Sequence, residues 1–112
     1  NRNNIRGIMK RLVGSVTLEC LDTYEAEKLE GMLSHTSDEL TYLMGVVKTV
    51  ESEVVIMLKD NSCHSVIMRD IVSANILNGF VRDLTFKKKS IKSIRHNGHE
   101  LQVYYVDNLL EI

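Results

Sequence analysis

The sequence predicts a mainly β protein whose short antiparallel strands curl into one small, strongly bent barrel, with a short N-terminal helix and a C-terminal β-hairpin. Runs of apolar and β-branched residues with the length of strands recur along the 112 residues. Turn residues separate these runs, most clearly at Asp60-Asn61-Ser62 and Asn97-Gly98. Strands joined by short turns pair antiparallel, and curling the sheet removes the unpaired edges that it would otherwise expose.

The first third of the chain predicts a helix, then a strand, then a segment that fits either. Apolar residues at helical spacing predict a helix over 4–12, which Gly14 closes. Residues 15–22 alternate and predict a half-buried strand. Residues 22–33 fit a helix, because Asp22 and Glu25 form a capping-box pattern and three apolar residues share one stripe (Ala26, Leu29 and Leu33). The same residues also fit a strand that bends at Gly31.

The rest of the chain predicts strands. Residues 40–50 are rich in aromatic and β-branched residues, and Gly45 suits a sharply curved strand. After a turn at 51–53, the segments 54–60 and 63–70 predict a hairpin that turns at 60–62, and 71–77 predicts a further strand. Asn97-Gly98 predicts a two-residue hairpin turn that pairs Arg95 with Glu100 and Ile91 with Tyr104. We find no internal repeat in the sequence.

The composition indicates one soluble globular domain. Hydrophobic residues make up 44% and charged residues 26% of the chain, and no apolar run is long enough to cross a bilayer. The first residues are polar and basic with no apolar core behind them, so no secretory signal is expected. We therefore expect an intracellular protein, cytoplasmic or nuclear. Cys20 and Cys63 lack framework spacing and are expected to be free, buried thiols, with a single disulfide as the alternative.

Two segments resemble the motifs of the Sm and LSm proteins. In "MGVVKTVESEVVIML", Gly45 lies at the bend, Glu51 at the acid position and Val54-Val55 where the family has Met-Asn. In "VIMRDIVSANI", Arg69 matches the family's Arg-Gly turn, with Asp70 in place of the glycine. An earlier frame for the first motif uses Gly31, Ser37 and Thr41. The resemblance implies an Sm-like barrel over 1–77, with 78–112 as a basic β-hairpin extension packed on the same domain.

The departures from the family's motifs imply a changed function. A valine or Thr41 replaces the Asn that contacts a base in RNA-binding members, and Asp70 adds a carboxylate that disfavours an anionic ligand. The chain therefore looks like a divergent, Gemin-type member that pairs with itself or a protein partner through barrel-edge strands and scaffolds an RNA–protein assembly. The expected pairing strand consists of Val66, Ile67, Met68, Ile71, Val72 and Ser73.

Direct binding of single-stranded RNA is the second hypothesis. Residues 82–95 carry a basic cluster, and adjacent tyrosines follow it in the last strand. The expected contact residues are Lys87, Lys88, Lys89, Lys92, Arg95, Tyr104 and Tyr105. The same lysines also suit a solvated strand edge that deters aggregation. A third hypothesis is an unrelated α+β adaptor in which 22–33 and 37–47 are helices.

No pattern in the chain predicts an enzyme, a cofactor or a metal site. Cys63-His64 and His96-x-x-His99 contain zinc-type ligands, but adjacent strand residues point to opposite faces and the histidine pair flanks a turn. A cysteine with a histidine also suits a thiol nucleophile, yet no orienting third residue accompanies either cysteine. We find no Gly-rich phosphate loop and no metalloprotease motif.

Overall fold

The computed structural model describes residues 11–34 and 42–108. Six strands and two helices follow one another along them: β1 (Arg11–Glu19), α1 (Thr23–Leu33), β2 (Leu43–Val50), β3 (Glu53–Leu58), β4 (Cys63–Ile67), α2 (Ile71–Thr85), β5 (Lys89–Asn97) and β6 (Glu100–Asn108). The protein is mainly β, as the sequence predicts. Neither of these two helices combines the length and the apolar character that crossing a bilayer requires.

The strands form two antiparallel sheets that touch at one point. One sheet has the order β1-β6-β5 and the other β2-β3-β4. They meet just after β1 and β4, where Cys20 bridges Met68. Two peptide hydrogen bonds form this bridge, from Leu21 N–H to Ile67 C=O and from Arg69 N–H to Glu19 C=O. Over the described residues the two sheets do not close on each other, so the predicted barrel is not confirmed.

The elements of the described residues form two β-α-β-β units, a repeat that the sequence does not predict. The first unit is β1-α1-β2-β3 and the second is β4-α2-β5-β6. Each unit pairs its first strand with the hairpin of the other unit. Positions 48 residues apart are equivalent through β1, α1 and their counterparts, and the bridge joins one such pair, Cys20 and Met68. The two units are therefore related by an approximate twofold axis near this bridge.

Few residues record the repeat in the sequence. Between 16–33 and 64–81 the identical pairs are Asp22/Asp70, Ala26/Ala74, Leu29/Leu77 and Gly31/Gly79. The aspartates are both helix N-caps: Asp22 accepts a hydrogen bond from Glu25 N–H at 2.9 Å, and Asp70 accepts one from Ser73 N–H at 2.8 Å. The paired alanines and leucines are fully buried. The shared residues thus start each helix and pack it on the sheets.

One hydrophobic core joins both units. The buried stripes of α1 and α2 pack on alternate residues of the inner strands, as helix and strand periodicity require. Fully buried members include Leu29, Leu33, Leu77, Val81, Val54, Ile56, Leu101 and Val103. The strands predicted over 15–22, 40–50, 54–60 and 63–70 are confirmed with shifted ends, and residues 23–33 form a helix rather than a bent strand.

Two helix and strand predictions need correction. Of the predicted helix at 4–12, residues 4–10 lie outside the described residues, and 11–12 already belong to β1. The predicted strand at 71–77 is the first half of α2, because Asp70 caps it and the buried residues follow helical spacing. α2 runs on to Thr85, past residue 77 where the Sm-like barrel was expected to end.

The C-terminal hairpin is confirmed, but its predicted register is wrong. The loop residues are Gly98 and His99 rather than Asn97 and Gly98. Gly98 has φ of +64°, so the glycine occupies the first loop position, where a two-residue loop of the II′ type requires it. Asn97 therefore pairs with Glu100, and the predicted partners shift: Arg95 pairs with Gln102 and Ile91 with Tyr105.

Candidate functional site

Pairing with another molecule requires a strand rim with unpaired peptide groups, and the two sheets of the described residues have four rims. They are the outer strands β2 and β5 and the sides of β1 and β4 that face away from their sheets. Alternate residues of a strand point their peptide groups to opposite sides. In β1 the even side bonds β6, since Cys20 N–H donates to His99 C=O, and the register with β6 has no interruption over 11–19. The peptide groups of Val13, Ser15 and Thr17 therefore point outward.

The outward side of β4 is closed by two side chains of α1. Glu25 accepts a hydrogen bond from Ile67 N–H at 3.0 Å, and Lys28 Nζ donates to the Ser65 carbonyl at 2.7 Å. Glu25 and Lys28 also pair with each other at 3.0 Å. The Glu25 carboxylate thus takes the place of a neighbouring strand as the acceptor for the Ile67 N–H. The Ser65 carbonyl and both peptide groups of Ile67 are therefore already bonded on this side, since Leu21 N–H donates to the Ile67 carbonyl.

The residues predicted to form the pairing strand do not all lie in one strand. Ile71, Val72 and Ser73 form the first turn of α2, so their peptide groups belong to a helix. Val66 pairs with β3, and Ile67 is held by Glu25 and by Leu21. Met68 donates its N–H to Ser52 C=O. These six residues do not form a continuous free rim, because the end of β1 and the helix α1 already occupy the side where a partner strand was expected.

The outward side of β1 has no comparable cap. At the positions that match Glu25 and Lys28, α2 carries Ser73 and Ile76. The Ser73 side chain bonds the Asp70 cap, and Ile76 is apolar and 42% exposed, so neither satisfies a strand peptide group. Among residues 11–34 and 42–108, no group bonds the outward peptide groups of Val13, Ser15 or Thr17.

A groove of about 290 Å³ lies between this open rim and α2. Its walls are Ser15, Val16, Asn75, Ile76, Gly79 and Phe80. The groove ends at Tyr105, whose ring packs on Phe80 with centroids 5.7 Å apart and covers Gly14. Lys89 also lines that end of the groove. Two ion pairs hold its ammonium group in place, with Asp83 at 2.8 Å and with Asp107 at 3.6 Å. These two carboxylates raise the Lys89 pKa, with the Asp83 hydrogen bond as the largest cause.

The two outer strands carry features that discourage pairing. The register of β2 with β3 skips Met44 and Val47, and that of β5 with β6 skips Lys92. These bulges interrupt the even spacing of peptide groups that a partner strand needs. On β5, Lys92 and Arg95 add exposed charge. Of these rims, the outward side of β1 has the most regular row of unbonded peptide groups, and we regard it as the candidate site for pairing with an added strand.

The structure divides the residues predicted to bind nucleic acid among several surfaces. Lys87 and Lys88 are exposed in the connection after α2. Lys89 and Tyr105 face the core side, and the charge of Lys89 is already neutralised by two aspartates. Arg95 and Tyr104 share the opposite face of the sheet, since their partners Gln102 and Ser93 alternate with the buried positions. Lys92 lies at the β5 bulge.

The cysteines differ in environment. Both are free thiols, but only Cys20 is buried, so the expectation of two buried thiols is wrong for Cys63. Burial, followed by the nearby charges of Glu25 and Asp22, raises the pKa of Cys20 to about 12. A thiol with this pKa stays protonated near neutral pH and is a poor nucleophile.

The turn between β3 and β4 brings together Asp60, Ser62 and His64. The Ser62 hydroxyl lies 2.5 Å from Asp60 Oδ1 and 2.8 Å from His64 Nε2. Hydrogen bonds from the Ser62 hydroxyl and N–H lower the Asp60 pKa. A catalytic triad needs the carboxylate to orient the imidazole. Here the carboxylate accepts a hydrogen bond from the Ser62 hydroxyl instead of from the imidazole, on an exposed turn, so the arrangement is that of a turn cap rather than a triad.

Ligand-type side chains also gather at the end of β1. Carboxylate or imidazole atoms of Glu19, His99 and Glu100 lie within 4.8 Å of one another. Arg69 already neutralises Glu19, with its guanidinium 2.5 Å from the carboxylate. The predicted zinc-type pairs Cys63-His64 and His96-x-x-His99 do not join this cluster except through His99.

Comparisons of the chain with protein-family models, with curated proteins and with solved structures found no match. Nothing in them identifies an Sm or LSm relationship. A function for this chain is therefore inferred from the fold and from the peptide groups at its strand edges. The sequence does contain a signal for the β1 rim, since residues 12–18 carry no charged side chain.

Proposed function

We propose that this chain is a non-catalytic protein-interaction module that accepts an extended segment of a partner protein as an added strand on β1. The observation that carries the proposal is the row of outward peptide groups at Val13, Ser15 and Thr17, which no described residue bonds. Strand addition satisfies such groups by main-chain hydrogen bonds and uses neighbouring pockets for alternate side chains of the guest. This is the pairing mode that the Sm-like resemblance implies, with β1 in place of β4.

The contrast with the other rims supports this assignment. Proteins blunt their strand edges with bulges, charges or coverings, because an exposed regular edge pairs with other chains. β2 and β5 carry bulges, and α1 covers β4 with Glu25 and Lys28. β1 has a regular register and an uncharged stretch over 12–18. The edge of β1 thus combines a regular register with outward peptide groups that no described residue bonds, as a binding edge requires.

The groove beside β1 suits an extended guest with apolar side chains. Val72 and Ile76 lie one helical turn apart on α2 and are 62% and 42% exposed. A guest strand on β1 would direct every second side chain towards this helix face. The guest is expected to have apolar residues at alternate positions over about five residues, the usual length of a strand.

Selection from a randomised peptide library tests the proposal. The immobilised protein is expected to enrich peptides with alternating apolar residues. In the bound state, amide hydrogen exchange is expected to slow at Val13, Ser15 and Thr17. The even-numbered amides of β1 bond β6 already and are expected to change little.

Two variants of Ser15 separate backbone pairing from side-chain contact. Ser15→Pro removes the outward N–H without touching the bonds to β6, as proline on a strand edge permits. It is expected to weaken peptide binding at least about tenfold, whereas Ser15→Ala keeps the N–H and is expected to change binding little. Failure to enrich any peptide, or equal binding by the two variants, would rule the proposal out. If the free protein self-associates and Ser15→Pro alone abolishes this, the guest is a second copy.

A further inference from the structure

We infer that the C-terminal end of α2 is a binding site for single-stranded nucleic acid, with Phe86 as the stacking platform. The inference uses a different part of the molecule from the β1 rim and does not depend on the proposed strand addition. The sequence analysis placed the aromatic platform at Tyr104 or Tyr105. In the structure Phe86 is the more exposed aromatic residue beside the lysines, at 68%.

The helix end holds Phe86 and two lysines in a defined turn. Phe86 N–H bonds Arg82 C=O, and the N–H groups of Lys87 and Lys88 bond the carbonyls of Leu84 and Asp83. Lys87 has φ of +60°. This pattern is a Schellman motif with Lys87 in the left-handed position, so the turn is fixed by hydrogen bonds. An exposed aromatic ring therefore projects from an ordered backbone rather than from a loose loop.

A groove of about 220 Å³ opens beside the Phe86 ring. Met44, Gly45 and Val46 of β2 form one wall, and Asn78, Arg82 and Thr85 of α2 form the other. The Asn78 side-chain amide bonds no other described side chain or peptide group, so it has a donor and an acceptor for a ligand. A flat ring, an apolar wall and a free amide are the groups that hold a base by stacking and by hydrogen bonds to its edge.

The charges around this groove favour an anion. Arg82, Lys87 and Lys88 are exposed, and none of them forms an ion pair with another described residue. Lys89 differs, because Asp83 and Asp107 already neutralise it. Three unpaired cations beside an exposed ring match a polyanion whose bases are unstacked. An acidic peptide would satisfy the cations but would leave the ring and the amide without a planar partner.

Fluorescence anisotropy with labelled oligonucleotides tests the inference. Single-stranded RNA and DNA are expected to bind, and a duplex of the same length is expected to bind more weakly. Three phosphate contacts give a slope of log affinity against log salt of about −2 for single strands, so raising the salt from about 50 to about 200 mM should weaken binding roughly 20-fold. The Lys87→Gln/Lys88→Gln variant should bring the slope to about −0.7.

Matched variants identify the platform. Phe86→Ala is expected to weaken binding about tenfold or more, the effect of losing one stacked base. Tyr24 is a second exposed aromatic, at 64%, and Lys59 is an exposed lysine in another turn, so Tyr24→Ala and Lys59→Gln are expected to leave the affinity within about twofold. Absence of binding at low salt, or equal losses in the control variants, would overturn the inference. So would anionic vesicles or poly-glutamate that bind as tightly with the same dependence on Phe86.

Discussion

Removal of the Glu25 carboxylate is expected to destabilise the protein by about 2–3 kcal/mol. The side chain is 11% exposed and accepts the Ile67 N–H at 3.0 Å, and a hydrogen bond to a charged group contributes about 1.5–3 kcal/mol. The Lys28 partner is 34% exposed, so solvent screening limits that pair to about 1 kcal/mol or less. In Glu25→Ala the Ile67 N–H loses its acceptor at a strand rim. Glu25→Gln keeps an acceptor and should lose about 1 kcal/mol.

Urea unfolding of the variants measures these losses as shifts of the midpoint at constant slope. Glu27 lies on the same helix and is exposed, which makes Glu27→Ala the matched control with an expected change within about 0.5 kcal/mol. If Glu25→Ala were no less stable than Glu27→Ala, the hydrogen bond from Ile67 N–H to Glu25 would not stabilise the rim of β4. As a second readout, the open rim in Glu25→Ala should increase concentration-dependent association by light scattering, whereas Glu27→Ala should not.

Three further predictions concern local geometry and reactivity. Gly14→Ala should cost about 1–3 kcal/mol in urea unfolding, because its Cβ would lie 2.7 Å from the Tyr105 ring; an unchanged midpoint would contradict this packing. Lys87→Gly should stabilise by about 0.5–1 kcal/mol, since glycine adopts the positive φ without strain, and a loss of stability would argue against the left-handed turn. In native protein near neutral pH a thiol reagent should label Cys63 rapidly and Cys20 only after unfolding, by mass spectrometry; equal labelling of both in native protein would contradict the burial of Cys20.

Local signals predicted most of the elements. The alternation at Val16, Leu18 and Cys20 predicts β1. The Asp22 cap and the apolar stripe behind it predict the helix α1, which was one of the two structures considered for 22–33. The segment 71–77 was predicted incorrectly, because a short apolar run fits a strand and a helix equally. The cap at Asp70 and the match with Asp22, Ala26 and Leu29 are the signals that would have identified it.

The repeat explains why the residues predicted to pair do not share one strand. The sequence analysis assigned the free rim to 66–73 by resemblance to an Sm motif. The two β-α-β-β units instead place α1 along β4 and α2 along β1. Glu25 and Lys28 close one rim, and Ser73 and Ile76 leave the equivalent rim open. The asymmetry comes from two side chains within a nearly symmetric fold.

The sequence by itself determined strands β1 to β4, the cap of α1 and the C-terminal hairpin, because caps, turn residues and apolar spacing act over a few neighbouring positions. Only the tertiary structure decided which strands meet, that the hairpins are exchanged between the two units, and which peptide groups stay unpaired. Every residue here has the same backbone N–H and C=O groups. Whether these groups find a hydrogen-bond partner therefore depends on which distant element lies beside them. Val13, Ser15 and Thr17 stay free because the helix beside them places Ile76 where its counterpart places a lysine.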